Sequence, residues 1–439
     1  MLRVVILLAG CKGAHPASVD KPAPTPPDTD TTATGQTGDT SAPLPPLGTE
    51  CDPVVRVPVA SFGVEEPPPD PDPHAEIYGR DPAPRVVRYS WPSNDPSTSA
   101  SFLWRTDRET LATTVEYGTG GVLSGRVEGA SFLFDGDPGE YRIHEVKLCD
   151  QLLPGTTYQY RVGGNGHFSP IYTFTTPRAP GTFDTFRIGI VGDSRGSYEQ
   201  WSQIFAAMEA QDPDFIVFTG DAVSSGGNQE EWDAWFRATG DVLASKALIP
   251  AHGNHEGLST NYFAQMSLPG NEQWFTVKYG NLHLVVLNDT ASGTSALAEQ
   301  ATYIDRSFAE SVTGYRGAAA HHQGMYATCL THRSNTILRD TWVPKYDAWG
   351  VQLVFNGHNH LYERSVPIRW GQEAAPDQGA TYITAGGAGA PLYRNVDVDE
   401  WFANVAVPIE HYVIADFGPD SVHVVARDWA GNVIDDFTL

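Results

Sequence analysis

Four short polar clusters carry the residues of this chain best suited to chemistry: Gly192-Asp193-Ser194-Arg195, Gly220-Asp221, Gly253-Asn254-His255-Glu256 and Gly357-His358-Asn359-His360. Aspartate, asparagine and histidine together make a mixed oxygen and nitrogen donor set, which suits hard-to-borderline divalent or trivalent metal ions. A carboxylate such as Asp221 can bridge two ions, and two ions about 4 Å apart can hold an attacking hydroxide and a phosphate oxygen together. His358 and His360, two residues apart on extended chain, can each face a different ion. A glycine beside the donors lets the backbone turn sharply and approach closely. A lone Gly-Asp is ordinarily a turn, and an isolated histidine is ordinarily a satisfied core residue. The co-occurrence of all four clusters, each just after an apolar run, points instead to a dinuclear metal site.

Those runs define the elements that must position the clusters. Phe186-Arg187-Ile188-Gly189-Ile190-Val191 reads as a buried strand, followed by a helix with apolar residues at Trp201, Ile204, Phe205 and Met208, and by a second strand at 215–218. The helix spacing is that of a one-sided apolar stripe. Further strands are expected at 247–250, 282–287, 351–355 and 380–384, with a closing antiparallel pair at 412–416 and 422–426. Residues 182–439 are therefore expected to form an α/β domain. In open α/β sheets ligands bind beyond the carboxyl ends of strands, so the loops should converge. Residues 51–178 read differently. Short β-branched and aromatic runs at 101–106, 114–118, 141–146 and 157–162, punctuated by Pro, Gly, Asp and Asn, suggest an antiparallel sandwich with no catalytic cluster of its own.

The series Gly-Asp, Gly-Asp, Gly-Asn-His-Glu, a lone His and Gly-His-x-His resembles the calcineurin-like metallophosphoesterases. Gly357-His358-Asn359-His360-Leu361-Tyr362-Glu363-Arg364 is similar to the Gly-His-x-His-x-Tyr-Glu-Arg of the purple acid phosphatase branch. Leu153–Val162 and Thr173-Phe174-Thr175-Thr176-Pro177 look like the end of that branch's fibronectin-III-like N-terminal domain. The resemblance implies a second domain of two stacked mixed sheets flanked by helices. It implies two divalent or trivalent ions (Fe, Zn, Mn or similar), one held by Asp193, Asp221 and His360, the other by Asn254, His358 and a separate histidine, with Asp221 bridging. His322 fits that histidine, with Tyr326 four residues on, and His321 is the alternative. His255 is implied as a general acid near the leaving-group oxygen, and His332 as a phosphate contact. Two departures stand out. Ser224 occupies the position of the tyrosine that gives the purple enzymes their colour, and Arg195 replaces the histidine of the broader superfamily's Asp-x-His. Arg195 is open to two readings, a phosphate contact or a structural salt bridge. The implied activity is hydrolysis of phosphate esters, monoesters first. A phosphodiesterase or nucleotidase and a non-catalytic surface binding protein are the alternatives.

Composition and the N-terminus set the context. Lys and Arg number 28 against 53 Asp and Glu, a net charge of −25, which argues against a nucleic-acid-binding surface. Met1-Leu2-Arg3 followed by an apolar run and Leu8-Ala9-Gly10-Cys11 looks like a bacterial lipoprotein signal over residues 1–10, with Cys11 lipidated. Residues 11–50, rich in Pro, Thr and Asp, read as a disordered tether. The expected location is thus the cell envelope (outer membrane, periplasm or cell surface), with membrane contact through Cys11 only. In an oxidising compartment Cys51 and Cys149 can pair, leaving Cys329 free; the alternative is that all three are buried thiols.

Overall fold

The computed structural model describes residues 51–58, 65–66, 76–136, 139–290 and 293–439. The signal, the tether and most of the acidic proline-rich patch at 65–73 lie outside the described residues. Among those described, no helix is long and apolar enough to cross a membrane.

The first part is all β. Strands β1 (Arg85–Ser90), β2 (Ala100–Asp107), β3 (Thr114–Gly118), β4 (Gly125–Glu128), β5 (Ala130–Gly136), β6 (Gly139–Leu148), β7 (Thr157–Gly164) and β8 (Tyr172–Thr175) form two antiparallel sheets. One runs β1-β2-β6-β5; the other contains β8, β7, β3 and β4. Phe102, Tyr160 and Phe174 pack between them, with ring centroids 4.3–5.7 Å apart. Cys51 and Cys149 form a disulfide, and Cys329 is free and buried.

Buried His144 makes this sandwich acid-sensitive. Its ring stacks on Trp104 at 5.0 Å, and Thr106 and Thr113 hydroxyls lie 2.7 Å from its two nitrogens. Burial, helped by the charge of Arg142, pushes its imidazole down to about 3. Unfolded, the same group titrates near 6.5. The unfolded chain therefore binds the extra proton between those values, and stability falls as pH drops below about 6.5. At pH 5 the loss from this one site should be about 2 kcal/mol. Chemical denaturation at pH 7 and pH 5 should show a smaller pH-dependent loss in His144→Gln than in the parent; an equal loss would refute the assignment.

The second part is α/β. After β9 (Phe186–Val191) come α1 (Tyr198–Glu209), β10 (Phe215–Phe218), α2 (Gln229–Thr239), β11 (Leu248–Pro250) and α3 (Thr260–Gln265). Then follow β12 (Phe275–Tyr279), β13 (Leu282–Val286), α4 (Thr294–Ala309), β14 (Arg316–Ala320), α5 (Thr336–Trp349), β15 (Val351–Asn356) and β16 (Tyr362–Ser365). The chain ends in β17 (Thr381–Ala385), β18 (Ala403–Val407), β19 (His411–Phe417), β20 (Val422–Asp428) and β21 (Val433–Thr438).

Two mixed sheets result: β11-β10-β9-β19-β20-β21 and β12-β13-β14-β15-β17-β16-β18. Within the first, β9 to β11 are parallel, Ile188 opposite Phe215 and Ile216 opposite Leu248, while β19 joins β9 antiparallel. Within the second, β13, β14, β15 and β17 are parallel. Ser197 caps α1, its side chain accepting from the Gln200 amide, and the predicted stripe Trp201, Ile204, Phe205 and Met208 is the face it buries. The sheets are tied at the C-terminus: Tyr362 and Arg364 on β16 both bond Asp435 on β21, at 2.8 Å and 2.5–2.9 Å. The sandwich leans on the α/β part through a shared core, in which Trp91 meets Phe215 and Tyr279.

Candidate metal centre

The strand ends carry the site. Asp193 follows β9, Asp221 follows β10, Asn254 and His255 follow β11, His322 follows β14, and His358 and His360 follow β15. These are carboxyl ends of parallel strands from both sheets, which is why residues more than 160 positions apart meet: the His358 amide donates to Asp193 Oδ2 at 2.8 Å. Asp193, Asp221 and His358 all adopt left-handed backbone, at φ 59°, 60° and 66°. That conformation is uncommon for residues other than glycine and is tolerated best by Asp, Asn and His. Such strain gathers where side chains must be aimed, and here three of the predicted donors carry it. Gly220, at φ 93°, also needs its missing side chain, because a Cβ would sit 2.7 Å from His322 Nδ1.

Acceptor atoms converge on one point. His322 Nε2 lies 3.3 Å from Asp221 Oδ1, 3.1 Å from Asn254 Oδ1 and 3.2 Å from His358 Nδ1. Its other nitrogen donates to the Thr219 carbonyl at 2.7 Å, a group that only accepts, so Nδ1 carries a hydrogen and Nε2 faces the cluster. Asp221, His322 and His358 together form a group able to hold a metal ion. Burial opposes charge on both His322 and Asp221. Their mutual attraction outweighs it, holding the imidazole well above its ordinary value and the carboxyl below its own. Burial and the neighbouring His322 push His358 down to about 3, leaving a neutral ring with a free lone pair.

A second group adjoins it. His360 Nε2 is 3.6 Å from Asp193 Oδ1, and its Nδ1 donates to the Pro391 carbonyl at 2.7 Å. Burial pushes this ring down to about 4. Asp193 is fully buried, and its Oδ1 has no hydrogen-bond partner, a costly state for a carboxylate. Burial therefore drives its carboxyl well above the usual range. An orphaned buried oxygen beside a ring of inward-facing lone pairs is what a cation would satisfy, so the residues present fit metal ions.

The remaining predicted residues border the cluster. The His255 amide donates to Asp221 Oδ1 at 3.0 Å, and its ring Nδ1 donates to the Ser224 carbonyl at 2.8 Å, leaving Nε2 3.8 Å from Asp221 Oδ2. The His332 ring lies 4.3 Å from that of His358. Arg195 reaches Asp221 Oδ2 at 3.3 Å and His360 Nε2 at 3.4 Å. His321 does not join; it is buried against Asp289 at 3.1 Å and Asn356 at 3.0 Å, so of the two neighbours only His322 faces the site.

Sequence reasoning gave no role to Glu256 or Tyr393. The buried Glu256 carboxylate accepts from the amides of Asp221, Ala222 and Gly253 at 3.0, 2.7 and 2.7 Å, locking two ligand loops together. Burial and the charge of Asp221 push it up to about 7. Its place in Gly-Asn-His-Glu was the available signal. Tyr393 stacks on His360 at 4.2 Å and meets His332 through its hydroxyl at 3.2 Å. It lies in an irregular segment with no pattern to mark it.

A cluster of potential metal ligands at the strand ends of a two-sheet α/β domain, preceded by a β-sandwich, is the arrangement expected of a metallophosphoesterase. Residues 84–176 match the family described as purple acid phosphatase, N-terminal domain, and residues 186–362 match calcineurin-like phosphoesterase. Residues 186–362 are thus a calcineurin-like phosphoesterase unit, with a purple acid phosphatase N-terminal domain ahead of it. Purple acid phosphatase 15 of Arabidopsis thaliana is 26% identical over 290 residues, covering 56% of this chain and 53% of the relative. The phosphoenolpyruvate phosphatase of Allium cepa is 25% identical over 284 residues, covering 56% and 57%. The chain thus spans little more than half the length of these curated relatives. A purple acid phosphatase from yellow lupin (Lupinus luteus) seeds shares the fold, with a TM-score of 0.70 at 19% identity over 81% of this chain and 74% of that one.

Proposed function

We propose that this chain is a metal-dependent hydrolase of phosphate esters, with phosphomonoesters as its main substrates. The observation that carries the reading is the convergence of Asp221, Asn254 and His358 on His322 Nε2, each with a ligand atom 3.1–3.3 Å from it, directly beside His255. Asp193 and His360 extend the set of donors available to metal ions on the other side of Asp221. When bound, such ions supply the positive charge that a phosphoryl group needs during transfer. The protein's own residues do the rest. His255, fixed by its Nδ1 donation to Ser224, presents Nε2 to the site and in its protonated form gives that proton to the departing ester oxygen. His332 and Arg195 line the same face and contact the phosphoryl oxygens. The relative named for phosphoenolpyruvate, a phosphomonoester, supports the monoester preference.

The location we propose draws on the other end of the chain. A lipidated Cys11 tethering an exported domain to the cell envelope fits the Leu8-Ala9-Gly10-Cys11 string, and the Cys51–Cys149 disulfide supports an oxidising compartment. With a net charge of −25, long-range steering of an anionic ester is absent, and bound cations provide the local attraction.

The test is metal removal. Chelated protein should not hydrolyse p-nitrophenyl phosphate, and Zn²⁺ or Mn²⁺ should restore turnover, faster than on bis(p-nitrophenyl) phosphate. Equal rates with and without metal would overturn the metal-dependent reading. Faster diester turnover would favour the phosphodiesterase alternative, and bound metal without turnover the non-catalytic one.

A further inference from the structure

The two halves of the donor set are not equivalent. On one side Asp221 Oδ1, Asn254 Oδ1 and His358 Nδ1 each lie 3.1–3.3 Å from His322 Nε2, two oxygens and two nitrogens in one group that Arg195 reaches only at the outer oxygen of Asp221. Four protein donors of this kind complete a tetrahedral shell. The other side offers Asp193 Oδ1, His360 Nε2 and the outer oxygen of Asp221, and two of these three are already engaged by one residue. Arg195 places Nε 3.3 Å from Asp221 Oδ2 and Nη2 3.4 Å from His360 Nε2. No fourth donor comes from Ser224, which is exposed and which engages Glu231 through its amide and His255 through its carbonyl.

We infer that the guanidinium of Arg195 takes the place of the second cation, so that this chain holds a single catalytic ion on the Asn254, His322 and His358 side. The inference rests on the metal-dependent reading above and narrows its stoichiometry. Guanidinium is permanently charged, planar and a donor at every nitrogen, so it can neutralise the outer oxygen of Asp221 and still present N–H groups to a phosphoryl oxygen. An ion entering between Asp221 and His360 would have to displace it and would meet like charge if it stayed nearby. Arg195 is thus both the salt-bridge partner and the phosphate contact between which the sequence could not choose.

Metal stoichiometry decides the matter without reference to turnover. The full chain, stripped with chelator, dialysed against excess Zn²⁺ and then assayed by elemental analysis, should retain about one ion, and Arg195→Ala about two. Arg195→Lys, which keeps the charge, should stay near one. With Mn²⁺ the parent should give the electron paramagnetic resonance spectrum of an isolated ion, and Arg195→Ala that of an exchange-coupled pair. Two ions in the parent, or one in Arg195→Ala with its circular dichroism unchanged, would overturn the inference while leaving metal-dependent hydrolysis intact. If Arg195→Ala does not fold, the parent's own stoichiometry and spectrum still decide. No retained ion in the parent would overturn the metal reading on which the inference stands.

Discussion

Asp221→Ala should lose at least about a thousandfold in kcat/KM on p-nitrophenyl phosphate, ~4 kcal/mol of transition-state stabilisation. No other side chain in the site has as many roles. Its Oδ1 lies against His322 Nε2 at 3.3 Å and receives the His255 amide at 3.0 Å, while its Oδ2 meets Arg195 at 3.3 Å. Removing it takes a carboxylate from the donor cluster, unpairs Arg195 and frees the loop that carries His255. Asp221→Asn separates these effects. It retains the shape and an acceptor for the His255 amide but gives up the charge, so it should keep the folded structure and bind Zn²⁺ more weakly, by about tenfold or more. The checks are steady-state kinetics and equilibrium dialysis, with circular dichroism to confirm folding. Activity in Asp221→Ala within about threefold of the parent would be incompatible with any role for this carboxylate in transition-state stabilisation.

What the sequence made legible follows from which signals are local. The first three strands of the α/β domain, the stripe on α1 and the motif residues could be read because each is written in consecutive residues. Strand β9 was predicted at its observed bounds, and the convergence of strand ends placed Asp193, Asp221, Asn254, His358 and His360 in one region. Strand β14 was not legible. Its sequence, Arg316-Gly317-Ala318-Ala319-Ala320, has little intrinsic preference for extended chain, and it forms because it lies between β13 and β15 in the middle of a sheet. Since β14 delivers both His321 and His322, the choice between them could not be made from spacing alone. The pairing of His321 with Asp289, which decides it, joins residues on different loops. Strands β16, β18 and β21 were missed for the same reason, being held by partners distant in sequence. The Tyr-Glu-Arg after Gly-His-x-His was legible as a motif but not as a structural device: Tyr362 and Arg364 anchor Asp435, while Glu363 accepts from the Thr328 amide at 2.8 Å and from the Thr384 hydroxyl at 3.0 Å. The motif thus holds the sheets in place under the histidines that precede it.

His255→Asn should show the second-largest effect, and its size should depend on the leaving group. The imidazole is held by one ring nitrogen on the Ser224 carbonyl at 2.8 Å, and its amide is held by Asp221, so Nε2 has a fixed place at the rim of the cluster. A general acid matters only as far as the departing oxygen needs a proton. An alkoxide, a strong base, leaves poorly without one, whereas p-nitrophenolate leaves readily as the anion. Loss of the acid should therefore slow an alkyl phosphate such as glycerol 2-phosphate by about 10²–10⁴-fold and p-nitrophenyl phosphate by much less. Asparagine preserves a donor toward the Ser224 carbonyl, so the loop should keep its shape and metal binding should be unchanged. A positioning role predicts something else: a uniform loss on both substrates, with altered metal affinity through the Asp221 contact. Plotting log kcat/KM against leaving-group pKa for parent and variant distinguishes the two, since an acid missing from the transition state makes the slope steeper. Parallel lines would exclude proton donation by His255 and leave it as a residue that orients Asp221.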